Sequence, residues 1–113
     1  MFAKRAGKGA FLVIATTLEP GERVEALLQG KLRGEDAAAA LTDRRVVLAN
    51  DREWKPDVEI IELGPGLTVQ GWQDDRSASL MFQRGGTSVT IEHISDRDQA
   101  QRMATLVRSR SGG

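Results

Sequence analysis

Glu35-Asp36-Ala37-Ala38-Ala39-Ala40-Leu41-Thr42-Asp43-Arg44-Arg45-Val46-Val47-Leu48 pulls in two directions. The alanine run has the intrinsic preference of a helix, because alanine gives up no side-chain freedom there. Thr42-Asp43-Arg44-Arg45 reads as a turn, and Val46-Val47-Leu48-Ala49 as a strand core. Propensity alone makes residues 35–41 helical. The pattern on either side has to be weighed against it.

On both sides the period is two. Val24, Ala26, Leu28, Gly30 and Leu32 alternate with Glu25, Leu27, Gln29 and Lys31, which predicts a strand with one inward face. After the turn at Asn50-Asp51-Arg52, Val58-Glu59-Ile60-Ile61 predicts another. Gly64-Pro65-Gly66 breaks the chain. Leu67, Val69 and Gly71 alternate, as do Ala78, Leu80 and Phe82, with Asp74-Asp75-Arg76 between them. Gly85-Gly86 suits a hairpin turn before Val89 and Ile91, since glycine reaches positive φ freely. Turn signals every ~10 residues suggest an all-β barrel or sandwich. The C-terminal stretch differs. Ser95 and Asp98 look like a helix N-cap and its acidic partner, and Ala100, Met103, Ala104 and Val107 form one apolar stripe at helical spacing. A helix over roughly 96–110 follows, with Arg108 and Arg110 placed where cations suit its dipole.

Seven short strands and one C-terminal amphipathic helix are the layout of the pleckstrin-homology (PH) fold, and several motifs resemble the bacterial PH-like domain family. Leu18-Glu19-Pro20-Gly21-Glu22-Arg23-Val24 resembles its L-x-x-G-E-x-V opening. Leu41-Thr42-Asp43-Arg44-Arg45-Val46-Val47-Leu48 resembles its L-T-D-x-R hairpin, the most specific of the matches. Glu59-Ile60-Ile61-Glu62-Leu63 is similar to the strand before its Gly-rich loop, and Asp96-Arg97-Asp98-Gln99-Ala100 to the opening of its last helix. The resemblance spans about residues 18–110. It implies a mainly β fold, a seven-stranded barrel or sandwich capped by one C-terminal helix. It also implies that Glu35–Leu41 is the second strand, whose small side chains let the final helix or a neighbouring subunit approach closely. One continuous helix over 35–48 would defeat the assignment. The implied organisation is a packing segment at 1–17, the PH-like domain at 18–110 and a flexible tail at 111–113.

Composition narrows the function. In 113 residues, 16 basic and 16 acidic side chains cancel, which argues against a nucleic-acid partner, whose binding draws on excess Lys and Arg. There is no cysteine and one histidine, so thiol chemistry, disulfides and poly-Cys or poly-His metal sites are excluded. No metal or cofactor is expected. His93 and Glu92, adjacent on a strand, should face opposite ways. Gly64-Pro65-Gly66 lacks the helix start and Gly-Lys-Ser/Thr of a phosphate loop. Asp74-Asp75 belongs to an exposed turn, and Glu59 and Glu62 sit at an odd offset. None of these forms an acid–base pair, so an enzyme is not expected. PH-like folds mostly bind phosphoinositide headgroups, peptides or proteins. Here the first hairpin offers only Lys31 and Arg33, followed at once by Glu35 and Asp36, which oppose a polyphosphate.

The expected activity is therefore a non-catalytic binding or scaffold role through protein contacts, including self-association. Trp54 and Trp72 are the candidate interface anchors, because tryptophan is enriched at binding hot spots. Phe11 and Val13 join them, since Phe11, Val13 and Ala15 alternate with Leu12 and Ile14 and leave both faces apolar. That segment is expected to pack on the barrel edge or pair with a neighbouring chain, as a short helix or strand. The alternative is a peripheral module touching anionic lipid through Lys4, Arg5 and Lys8, a weak anchor at ~1 kcal/mol per charge. The apolar run Ala10–Ala15 is too short to span a bilayer and lacks a signal-peptide cleavage site, so the cytoplasm is the expected compartment.

Overall fold

A computed structural model describes residues 8–111. A helix α1 (Lys8–Thr17) precedes the strands β1 (Val24–Leu32), β2 (Glu35–Thr42), β3 (Arg45–Asn50), β4 (Val58–Glu62), β5 (Thr68–Gln73), β6 (Ala78–Arg84) and β7 (Thr87–Ile94), and α2 (Arg97–Arg110) closes the chain. All strand pairs are antiparallel, in the order β4-β3-β2-β1-β7-β6-β5. The protein is thus mainly β with a C-terminal helix, consistent with a PH-like sandwich. The barrel form of the expectation is corrected: β4 and β5, joined by a short loop, lie at opposite ends of the strand order, and the sheet stays open between them.

The alanine run is a strand because its backbone and both of its faces are used. Ala37–Leu41 pairs with β1 on one side and β3 on the other. Ala37, Ala39 and Leu41 point into the main core with Leu28, Val46, Leu48 and Ile91. Ala38 and Ala40 point the other way, into a second cluster with Val47, Ala49 and, from α1, Ala10 and Ile14. Helix preference is worth at most ~0.7 kcal/mol per residue, which two ladders and two buried faces outweigh. The small side chains do admit another layer, but it is α1, neither the final helix nor another subunit. Helical spacing sends Ala10 and Ile14 down together, so the segment lies on the sheet's outer face and not along its edge.

The two halves of the sheet meet at a bulge. β7 gains one residue against β6 between the pairs Leu80–Ile91 and Ala78–Ile94, and His93 there has φ 56°. The bulge turns Ile91 and Ile94 both inward and leaves Glu92 and His93 both exposed. The strict alternation expected for Glu92 and His93 does not hold. β7 then passes to β1 at the pair Lys31–Glu92. Gly30 makes this crossing possible: a Cβ on it would lie 2.5 Å from the Glu92 carbonyl oxygen.

The stripe Ala100, Met103, Ala104 and Val107 is buried as expected, with α2 packed on β1, β5 and β6. The N-cap is Asp96, and not Ser95; its carboxylate accepts the Gln99 amide at 3.1 Å and adds a negative charge at the helix start. Ser111 was expected to belong to a flexible tail. Ser111 is the buried C-cap, its hydroxyl donating to the Val107 carbonyl at 2.7 Å, while Gly112 and Gly113 lie outside the described residues.

Enlarging the outward alanines should unseat α1. Ala38→Leu inserts three heavy atoms between strand and helix, and overpacking of this kind costs roughly 1–3 kcal/mol. A drop in Tm of several degrees is expected in thermal melts, and it should shrink when Ile14→Ala is added to make room.

Candidate functional site

The residues singled out by sequence are scattered by the fold. Lys4 and Arg5 lie outside the described residues, as does the side chain of Lys8. Phe11 and Val13 are half-buried against the outer cluster, where they anchor α1 on its own sheet. Trp54 is fully exposed on the β3–β4 loop, and Trp72 is about half-exposed on β5, the opposite edge strand. The four do not form one surface.

The stretches Leu18–Val24 and Leu41–Leu48 do come together, and they build a lock. Glu22 receives Arg45 through both carboxylate oxygens, at 2.8 Å from Nε and 2.8 Å from Nη2, and the Thr42 hydroxyl at 2.6 Å. Arg45 reaches on to the Thr17 carbonyl at 3.0 Å, which fixes the end of α1. Alongside, the Arg23 amide donates to the Asp43 carboxylate and the Asp43 amide donates back to the Arg23 carbonyl. The Arg45 hydrogen bonds, helped by Thr42 and the Glu19 backbone, hold the Glu22 carboxyl at about 2, against an ordinary 4.5, despite burial pushing the other way. Both partners are spent on each other and on the turn, so the cluster holds the fold and offers nothing to a ligand.

Other candidates also resolve into structure. Asp74 accepts the Arg76 and Ser77 amides at 2.8 Å each, as a turn former, and these bonds lower its pKa. Gly64 and Gly66 have positive φ and shape a turn. Lys31 pairs with Asp36 at 2.9 Å, and Arg33 with Glu59 at 2.7 Å, so the first hairpin's cations are occupied. Among the described residues, no three His, Asp or Glu side chains are grouped to hold a metal ion.

Among the described residues, one open feature is a groove of about 460 Å³ between β5, β6 and α2. Gly71, Trp72 and Leu80 line the sheet side; Gln101, Thr105 and Arg108 line the helix side. Gly71 leaves its face flat: a Cβ would sit 2.9 Å from a Leu80 methyl. The phase of the ladder shows which backbone groups are unused. The Asp74 amide bonds to the Ser77 carbonyl, so alternate pairs place the N–H and C=O of Gln73, Gly71 and Val69 on the side away from β6. Val69 confirms the phase, since its carbonyl accepts Arg108 at 3.1 Å. Gly71 and Gln73 therefore present an edge with free donors and acceptors beside the groove. Sequence reasoning found Trp72 but missed Gly71, Gln101, Thr105 and Arg108. A glycine inside a strand pattern was the available signal, because it marks close backbone approach. No protein-family model, curated protein or solved structure matches this chain.

The lock contributes to acid stability. Glu22 has its pKa depressed on folding, so its contribution is complete above pH 4.5 and is lost as pH falls towards 2. With the side chain fully buried, the shift corresponds to ~3 kcal/mol. Glu22→Gln should lose about that much in urea denaturation at pH 7, and the gap from the native chain should close as pH approaches 2.

Proposed function

We propose that this chain is a non-catalytic, PH-like binding domain that takes an extended segment of a partner protein along β5. The free edge of Gly71 and Gln73, opening beside α2, carries this reading. An added strand would satisfy the edge groups at ~1 kcal/mol net per hydrogen bond. Its side chains on one face would meet Trp72, which has about half its surface left to cover. Those near α2 would meet Gln101, Thr105 and Arg108. Arg108 is the charged side chain lining the groove, which favours an acidic residue in the guest.

The anionic-lipid alternative rests on Lys4, Arg5 and Lys8, whose side chains lie outside the described residues, and the first hairpin adds nothing to it, since Lys31 and Arg33 are already paired with acids. Among the described residues, no helix is long and apolar enough to cross a membrane.

Selection from a phage-displayed random peptide library should return extended sequences. Gln73→Pro deletes an outward N–H that a partner strand needs, at a position where an edge strand tolerates proline. It should abolish binding of a selected peptide by fluorescence polarisation while keeping the Tm. Trp72→Ala should weaken binding about tenfold, a loss of ~1.4 kcal/mol. Undiminished binding by Gln73→Pro would refute the β5 edge as the site.

A further inference from the structure

The other edge of the sheet is exposed in a different way. β4 pairs with β3 only. The Asn50 amide bonds to the Asp57 carbonyl and the Leu63 amide to the Arg44 carbonyl, which fixes the alternation between them. Val58, Ile60 and Glu62 then stand at positions whose N–H and C=O point away from β3. Only the Glu62 carbonyl is taken, by Arg84. The side chains of Val58 and Ile60 are 39% and 44% exposed, on the face that carries α1, whose Leu12 is 61% exposed. Trp54 projects from the loop leading into this strand, and that loop is fixed. The buried Asn50 amide group donates to the Leu32 carbonyl and the Asp57 carboxylate, and its oxygen accepts the Arg52 and Asp57 amides. Trp54 is held there at φ 71°, a strained conformation for a bulky residue.

We infer that β4 is a homodimerisation edge, pairing antiparallel with β4 of a second copy about a two-fold axis at Ile60. The surface is self-complementary in the way such an axis requires. Ile60 meets Ile60 of the other copy, and the unused N–H and C=O groups of Ile60 meet their equivalents. The axis reverses the strand and sets Glu62 of each copy opposite Val58 of the other, at the end where the loop carrying Lys55 enters the strand. Among the described residues neither Glu62 nor Lys55 has an ion pair. Each Glu62 thus lies towards a lysine three positions beyond its partner residue, twice per dimer. The zero net charge adds no repulsion between copies. A lipid surface would cover Trp54 and Ile60 but would leave the strand's hydrogen-bonding groups unsatisfied and press Glu62 against anionic headgroups. A second copy satisfies all of these together.

Light scattering on the full chain over a concentration series tests this. A dimer mass is expected, with Ile60→Lys monomeric throughout and melting like the native chain diluted below its dimerisation range, because the position is exposed and a charged edge blocks strand pairing. Glu62→Lys should weaken the dimer about tenfold, and adding Lys55→Glu should restore it. The restoration depends on charge alone and survives any doubt about how Ile60→Lys folds. A native chain that stays monomeric, an Ile60→Lys variant that stays dimeric, or a charge swap without rescue overturns the proposal. So does binding to phosphatidylserine vesicles by a monomeric native chain that Ile60→Lys abolishes. Peptide binding at β5 should be intact in Ile60→Lys, so failure of this edge and failure of the groove are read separately.

Discussion

Everything in this fold hangs on a strand with almost no side chain. β2 sits between β1 and β3 and is covered on both faces, by the sandwich core inside and by α1 outside. Interiors are close-packed, so the distance between layers is set by the residues between them. Ala38 and Ala40 let α1 lie against the sheet, and larger residues from the helix, Phe11, Val13 and Ile14, supply the volume the strand lacks. The outer layer leaves β4 at its border half-covered, so the apolar flank of Val58 and Ile60 is a consequence of where a ten-residue helix ends.

Glu22 and Arg45 solve the next problem, which is how α1 stays in place. A single ion pair buried without other bonds would gain little, because removing two charges from water is costly. Here the pair is bidentate, Thr42 supplies a further donor to the carboxylate, and Arg45 also bonds to the last carbonyl of α1. The lock joins helix, β1 lead-in and β2–β3 turn at one end of the sheet. Hence the glutamate of one motif and the arginine of the other, separated by 23 positions, are one structural unit.

How much of this was legible follows from what each residue does. Strands with one wet face announced themselves: β1 and β6 alternate, and their inward residues are the ones buried, except Val24, which lies beyond a register shift against β2 and is exposed. The stripe of α2 was equally plain. α1 was ambiguous because its residues are apolar all round, which removes the period that distinguishes helix from strand. The bulge at His93 was invisible, since an extra residue in one strand leaves no mark on composition and shows only when β6 is laid beside β7. Of the groove, Trp72 was found by its chemistry. Gly71 and Arg108 were not, because a groove between an edge strand and a helix exists only once the two are packed.

The two edges of the sheet differ in a way that bears on assembly. A chain with two open, compatible edges would pair head to tail without limit and form filaments, since nothing closes a heterologous contact. β5 is not an open edge in that sense. Arg108 occupies the Val69 carbonyl, and α2 lines the groove beside the remaining free groups. β4 has α1 set back on β2 and β3, so a whole domain can approach it. Arg84 at Glu62 marks the end of the usable strand. On the proposed reading one edge takes a peptide and the other a second copy, and the asymmetry between them follows from where the two helices lie.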